Sequence, residues 1–384
     1  MSSLPLTLGF VPLIDCAPLV IARELGFAED EGLALTLLPQ PSWSALRDML
    51  ALGHLDAAQM LSPMPVAMSL GWGGLAAQVD ALMVLSVNGT VFGLSRDFAA
   101  RLPSHPGFGD PVAAARALAQ AQDSPIRVGV PFPYSMHRLL LDYWVEFSPE
   151  LDASQFEIVT VPPPRMADAV AQGTLDAFWV GEPWGSAAVA RGVADLVLPG
   201  RAIWAFAPEK VLAARHGWIA ENPETVSALI RAVHTAAHWL DTPRNTSLAV
   251  EILARSEHLD LPRETIDPAL SGQLSPALGH APVPVDRFLM FHRNTATFPW
   301  RSQAAWIAAR LGADAAEQER ARDFYRSDIY RDSLGPIGVD LPGASEKVEG
   351  AMRHATAVAS SRGHMILGPD AFFDGGTFDR HPKT

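Results

Sequence analysis

One pentapeptide pattern occurs twice, and its second occurrence constrains the whole chain. Gly53-His54-Leu55-Asp56-Ala57 and Gly173-Thr174-Leu175-Asp176-Ala177 share Gly-x-Leu-Asp-Ala, and each links a helical pattern to an apolar run. The Gly suits a left-handed helix C-cap, and the apolar run suits a buried parallel strand. The flanks agree. Before the first copy the sequence reads as a strand at 6–10, a helix at 17–25, a strand at 33–38 and a helix at 44–52. Before the second it reads as a strand at 126–130, a helix at 135–147, a strand at 156–161, a proline turn at 162–164 and a helix at 165–172. Each half is therefore β-α-β-α-β, the unit of an open parallel sheet. Two such lobes in tandem place a ligand in the cleft between them.

Composition supports this arithmetic. The 384 residues suit two domains of about 100–200 residues each. With 48% hydrophobic and 18% charged residues, extensive disorder is excluded. No run approaches the ~20 apolar residues of a membrane-spanning helix, so no membrane insertion is expected. The net charge of −13 argues against a nucleic-acid-binding face, yet it leaves room for one buried cation to dominate a local site. A single cysteine, Cys16, excludes an intramolecular disulfide and a multi-cysteine metal site. No Lys or Arg precedes Arg23, and the start runs at once into strand-like residues 6–11, so no secretion signal is read and a cytoplasmic location is expected.

The connections between the halves are also legible. Residues 82–94 form a strand-like run interrupted by Asn88-Gly89-Thr90, and 196–206 form another broken by Pro199-Gly200. Two such crossovers make the first lobe discontinuous: residues 1–90 and 200–300 form lobe I, 91–199 form lobe II, and 301–384 form a helical and wrapping extension of lobe I. From 213 to about 311 the pattern is mostly helical, and 363–383 reads as an irregular tail.

Nucleophilic catalysis finds little support, since there is no Gly-x-Ser-x-Gly elbow and Cys16 sits at the start of an apolar helix. His234 and His238 have the i,i+4 spacing of zinc ligands, but no Glu follows His234 as a metalloprotease helix requires; a solvated helix face explains them. Gly71-Trp72-Gly73-Gly74 lacks the P-loop Lys. No enzyme activity, cofactor or metal is expected. What remains is a set of polar and aromatic residues at predicted strand ends, the edge where open parallel sheets bind ligands. Ser42 is placed to cap the helix that Trp43 opens, and Trp43 is either a packing or a ligand residue. Gln59 ends the third strand of the first repeat. His137 opens a helix after the fourth strand, where one N–H can be donated to an anion. Glu182 lies in Val180-Gly181-Glu182-Pro183-Trp184. Lys210 follows an apolar approach at the end of the returning crossover.

In order along the chain, Ser-Trp at 42–43, Ser-Pro-Met-Pro after Gln59, Val-Asn-Gly at 87–89, Phe-Pro-x-Ser-x-His at 132–137, Val-Gly-Glu-Pro-Trp at 180–184 and Glu-Lys-Val-Leu at 209–212 resemble the nitrate/nitrite/bicarbonate-binding proteins. The resemblance runs from about Leu6 to Phe372-Phe373-Asp374-Gly375. It implies an α/β, periplasmic-binding-protein-like type II receptor, with two lobes of parallel or mixed sheet flanked by helices and joined by two crossover strands. It implies a small planar oxyanion, nitrate or nitrite, held between the lobes. Carried over residue by residue, the cleft Trp falls on Trp43, the second-lobe His on His137 and the cationic Lys on Lys210. The crossover contact falls near Asn88, Gly89 and Thr90, where the transport members carry a Gln, and Gln59 and Glu182 become lining residues.

With no export signal read at the start, the sequence looks like the cytosolic branch of that family: nitrate/nitrite sensors that hold an RNA-binding antiterminator until ligand binds. That implies a regulatory protein partner and no direct contact with nucleic acid. The alternative is the substrate-binding component of an ABC importer for nitrate, nitrite or bicarbonate. A third class, thiamin pyrimidine synthesis on a related fold, calls for a Cys cluster that this chain lacks.

Overall fold

The computed structural model describes residues 3–75, 77–121 and 125–379; the N-terminal Met1-Ser2 and the tail end at 380–384, both touched by the sequence reading, lie outside the described residues. Strands β1 (Leu4–Phe10), β2 (Leu33–Pro39), β3 (Ala57–Leu61) and β4 (Val79–Asn88) build the first lobe, and the chain passes through Gly89 into β5 (Thr90–Ser95) of the second. There β6 (Ile126–Val130), β7 (Phe156–Thr160), β8 (Ala177–Gly181) and β9 (Ala194–Pro199) follow, and β10 (Pro208–Arg215) returns to the first lobe. The first sheet runs in the order Leu289–Met290, β4, β10, β3, β1, β2, and the second in the order β7, β6, β8, β5, β9. In each, the first strand lies parallel between the second and third, and the strand arriving from the other lobe pairs antiparallel with the third. These are two mixed sheets of matching topology.

Both copies of the repeated motif do the same structural work. Gly53 and Gly173 sit at φ +84° and +68°, the left-handed region that a helix C-cap needs. Leu55 and Leu175 are buried, each against a glycine of the first strand of its lobe: a Cβ on Gly9 would collide with Leu55, and one on Gly129 with Leu175. The aspartates bind across the sheet. Asp56 Oδ2 accepts from the Thr7 amide at 2.8 Å, and Asp176 Oδ2 from the Arg127 amide at 3.1 Å. The motif thus locks strand three to strand one twice over.

The sequence reading differs from the structure in two places. The chain continues as strand β10 to Arg215, where a helical region was expected from 213; only then do the helices His216–Glu221 and Pro223–Leu240 begin. A short apolar run such as Val211-Leu212-Ala213-Ala214 fits a buried strand and a buried helix equally well, and pairing with β3 and β4 decides it. The supposed irregular tail opens instead with an antiparallel hairpin, Thr356–Ser360 against Gly363–Leu367. Beyond it, the chain wraps back. Phe372 stacks on Trp204 and Tyr143, and Asp374 accepts from the Tyr143 hydroxyl at 2.9 Å, so the tail touches both the returning crossover and a helix of the second lobe. No helix among the described residues is long and apolar enough to cross a membrane.

Candidate functional site

The carboxyl ends of β1, β3 and β8 face one another across the cleft, and the segments that follow them close it. Ile14 donates its amide to the Glu182 carbonyl at 3.0 Å, and the Trp184 indole donates to the Pro12 carbonyl at 2.9 Å. Beneath this contact lies a fully buried ammonium. Lys210, on β10, has no exposed surface; its Nζ lies 2.7 Å from Asp15 Oδ2 and 2.7 Å from Glu209 Oε1. Trp43 lies with its ring centroid 5.4 Å from the same Nζ, a cation–π contact in a dry setting.

That Glu209 and Lys210 reach one another needs explanation, because neighbours on a strand point to opposite faces. The β10–β4 ladder shifts register on both sides of Lys210. Such a bulge re-aims side chains, and here it turns consecutive residues into an ion pair.

Each partner is held from behind. The Gln59 side-chain carbonyl accepts from the Val11 amide at 2.9 Å, and its amide group donates to Asp15 Oδ1, so Gln59 aims the aspartate rather than facing the cleft itself. Ser42 caps the helix Trp43–Ala51 by accepting from the Ala45 amide at 3.2 Å, which fixes the position of Trp43. Ser135 does the same for the helix Met136–Glu146 and sets His137 in its first turn. His137 Nδ1 stands 3.4 Å from Glu209 Oε1, and a Cβ placed on Gly181 would lie 3.7 Å from His137 Nε2 and 3.6 Å from Asp15 Oδ2. One site therefore gathers Trp43, Asp15, His137, Gly181, Glu209 and Lys210 from both lobes.

The crossover residues sit elsewhere. Asn88, at φ 63°, spends its side chain on the Ala205 and Arg287 carbonyls and the Ala207 amide. Gly89, at φ 88°, donates its amide to the Phe288 carbonyl and accepts from the Glu182 amide. Thr90 Oγ1 accepts from the Trp179 indole at 3.0 Å. These three residues hold the crossover together. Glu182 is buried, but one carboxylate oxygen accepts from the Ser186 amide at 3.0 Å, which turns it onto the helix Trp184–Ala190. Asp15, Gly181 and Glu209 are the site residues that sequence reasoning passed over. The signal for the two acids was slight: an Asp after the first strand, and an acid directly beside the lysine.

Burial sets the charge states. His137 is pushed well below the usual imidazole range, first by burial and then by the Lys210 charge, so it is neutral and offers one N–H. Lys210 is held above its usual value: burial opposes the charge, but Asp15 and Glu209 outweigh it. Burial raises the Asp15 carboxyl against the pull of Lys210, and raises Glu209 to about 7.

A second buried lysine in the same chain serves as an internal control. Lys347 also bridges two carboxylates, Glu349 and Asp370, but there the other oxygens are used: Ser302 donates to Glu349 Oε1 at 2.7 Å, and the Met352 amide to Asp370 Oδ1 at 2.8 Å. The Trp300 indole, its ring centroid 5.7 Å from Lys347 Nζ, is unpartnered beside that lysine. Around Lys210 the set is larger, since Trp43 Nε1, both nitrogens of His137 and Glu209 Oε2 are all buried without a hydrogen-bond partner in the protein. Buried polar groups are nearly always paired, so orphans converging on one ammonium mark a place where something else supplies the partners. The ammonium has three donors and the carboxylates take two, leaving one for a ligand. The donors among these groups, the indole N–H, one imidazole N–H and the third ammonium N–H, suit a small acceptor-rich ligand.

The histidine pair at 234 and 238 lies far from this chemistry in kind. The solvated face expected for the pair holds for His238 alone: His234 is buried on the helix Pro223–Leu240, its ring 4.9 Å from that of His292. No group of three or more His, Cys, Asp or Glu side chains among the described residues is placed to hold a metal ion.

Comparison with known proteins follows the same line. Residues 2–254 match the NMT1-like family. The chain is 34% identical over 81% of its length to the nitrate import ATP-binding protein NrtC of Synechocystis, of which it spans 46%. It is 30% identical over 97% of its length to the nitrate/nitrite binding protein NrtA of Synechococcus elongatus, covering 83% of that protein. The crystal structure of the periplasmic nitrate-binding protein NrtA from Synechocystis superposes with a TM-score of 0.85 at 27% identity, covering 98% of this chain and 96% of that one. The fold is the periplasmic-binding-protein-like α/β architecture expected from the sequence.

Proposed function

The chain belongs to the NMT1-like family, and from that premise we propose that it is a solute receptor for nitrate or nitrite, the binding component of an ABC importer. The observation that carries this reading is the set of donors gathered around Lys210 from two lobes: unpartnered imidazole and indole nitrogens beside an ammonium with one N–H left over from its two carboxylates. A monovalent planar anion offers weak acceptors, so its selective capture needs several fixed donors together with a buried positive charge. Two lobes that meet over the ligand couple occupancy to shape, which is the property an import permease has to read. The relatives support the transport role, since they are named as import components and nitrate-binding proteins. A sensor that holds an antiterminator has no observation in the site to favour it, and no relative described above is named for that role.

Titration calorimetry with nitrate, nitrite and bicarbonate on the full chain tests the proposal. One anion per chain is expected, and Trp43→Phe, which keeps a ring over Lys210 but removes the indole donor, should weaken binding about tenfold. Absence of binding to all three anions at millimolar concentration refutes it.

A further inference from the structure

The site as described carries one positive and two negative groups. If Asp15 and Glu209 are both ionised, Lys210 is already over-neutralised, and a monovalent anion would add a second unbalanced negative charge to a buried cluster. An anion receptor built this way needs a further positive charge or the loss of a negative one. We propose that this site takes up its anion together with one proton from solvent, and that the proton stays on Glu209 Oε2, whose O–H donates a hydrogen bond to the bound anion. The inference rests on the receptor reading above and adds to it the protonation state in which the receptor is loaded.

Geometry selects the carrier. Asp15 has both oxygens occupied, Oδ1 by the Gln59 amide and Oδ2 by Lys210, so a proton there would displace a donor already in place. Glu209 has Oε1 on Lys210 and Oε2 with no partner, so a proton on Oε2 breaks nothing and creates the donor that an anion lacks. His137 is the other candidate, and it stands against the lysine charge within the same enclosure. The groups facing the Glu209 carboxyl are Lys210 on its own strand, Asp15 from the segment after β1, His137 from the second lobe and the Tyr325 phenol from the C-terminal extension. Of these, only Lys210 is cationic, since burial and the lysine keep His137 neutral. Burial raises Glu209 to about 7, so a proton is available to it near neutral pH. A protonated Glu209 leaves the Lys210–Asp15 pair balanced and restores a net single charge once the anion is bound.

The test counts protons. Nitrate is titrated calorimetrically into the 384-residue chain at pH 8 in HEPES and in Tris, whose different ionisation heats report the protons exchanged. Close to one proton taken up per anion is expected, with affinity falling about tenfold per pH unit above neutrality. Glu209→Gln, which fixes the neutral state, should bind about tenfold more tightly than the parent at pH 8, with no proton exchange. Nitrate binding by the parent protein without proton uptake, at one affinity from pH 6 to pH 8.5, overturns the inference and leaves the receptor reading standing; this arm needs no variant to fold. Proton uptake that survives in Glu209→Gln but disappears in His137→Gln also overturns it, because the imidazole is then the carrier. No binding of nitrate or nitrite by the parent at pH 6, where Glu209 is neutral, overturns both readings.

Discussion

Replacing Lys210 by methionine keeps most of the side-chain volume and removes only the charge, so it isolates what the ammonium does for the fold. Both carboxylates it serves are buried, with side chains 4% and 1% exposed at Asp15 and Glu209. Breaking a buried ion pair by deleting one partner costs about 3–5 kcal/mol, because the other charge is left without compensation. Here two charges are left. That is a large share of the ~5–15 kcal/mol by which domains are stable. The variant has a telling pH dependence. Without the lysine, Asp15 and Glu209 are held neutral by burial, so the folded protein carries protons that the unfolded chain has released above about pH 4–5. Groups whose folded pKa is raised stabilise fully below the unfolded value and lose that contribution as pH rises. Lys210→Met should therefore lose about 3–5 kcal/mol at pH 8 but only about 1 kcal/mol at pH 5.5 relative to the parent. Urea unfolding followed by tryptophan fluorescence at the two pH values measures the difference. The triple variant Lys210→Met, Asp15→Asn, Glu209→Gln should recover most of the loss at pH 8, since an uncharged cluster has no ion to bury. A loss below about 1 kcal/mol at pH 8, or an equal loss at both pH values, refutes the electrostatic account of the site.

Gly181 admits the close approach of Leu13, Asp15 and His137, and a Cβ there would lie 2.7 Å from Leu13 Cδ2. Gly181→Ala should lower nitrate affinity about tenfold or more while costing about 1 kcal/mol of stability; unchanged affinity by calorimetry would show that the ligand does not sit against β8. Away from the site, burial and the neighbouring histidines push His234 down to about 3, so it stays neutral in the fold while the unfolded chain protonates below about pH 6.5. Its contribution is present above that pH and is lost in acid. His234→Gln should accordingly lose about 2 kcal/mol less stability than the parent between pH 7 and pH 5 in urea titrations, and an identical loss in both proteins would refute the assignment.

The sequence by itself determined the repeating β-α-β-α-β plan, because the constraints behind it are local. A Gly after a helix, a Leu two residues on and an Asp before an apolar run specify cap, core and strand entry within a few residues, and both copies use the Asp to accept a backbone amide of the first strand. Helix starts at Ser42 and Ser135 were legible for the same reason, and with them the positions of Trp43 and His137. The tertiary structure alone decided which polar groups meet. Asp15 precedes Lys210 by nearly two hundred residues and reaches it only because β1, β3 and β10 lie side by side. Glu209 joins them only because a bulge in β10 turns it. The same long-range pairing made 208–215 a strand where the apolar pattern was ambiguous, and it committed Asn88, Gly89 and Thr90 to the crossover. Charge balance in a buried site is a sum over groups brought together from distant segments, and no window of sequence contains that sum.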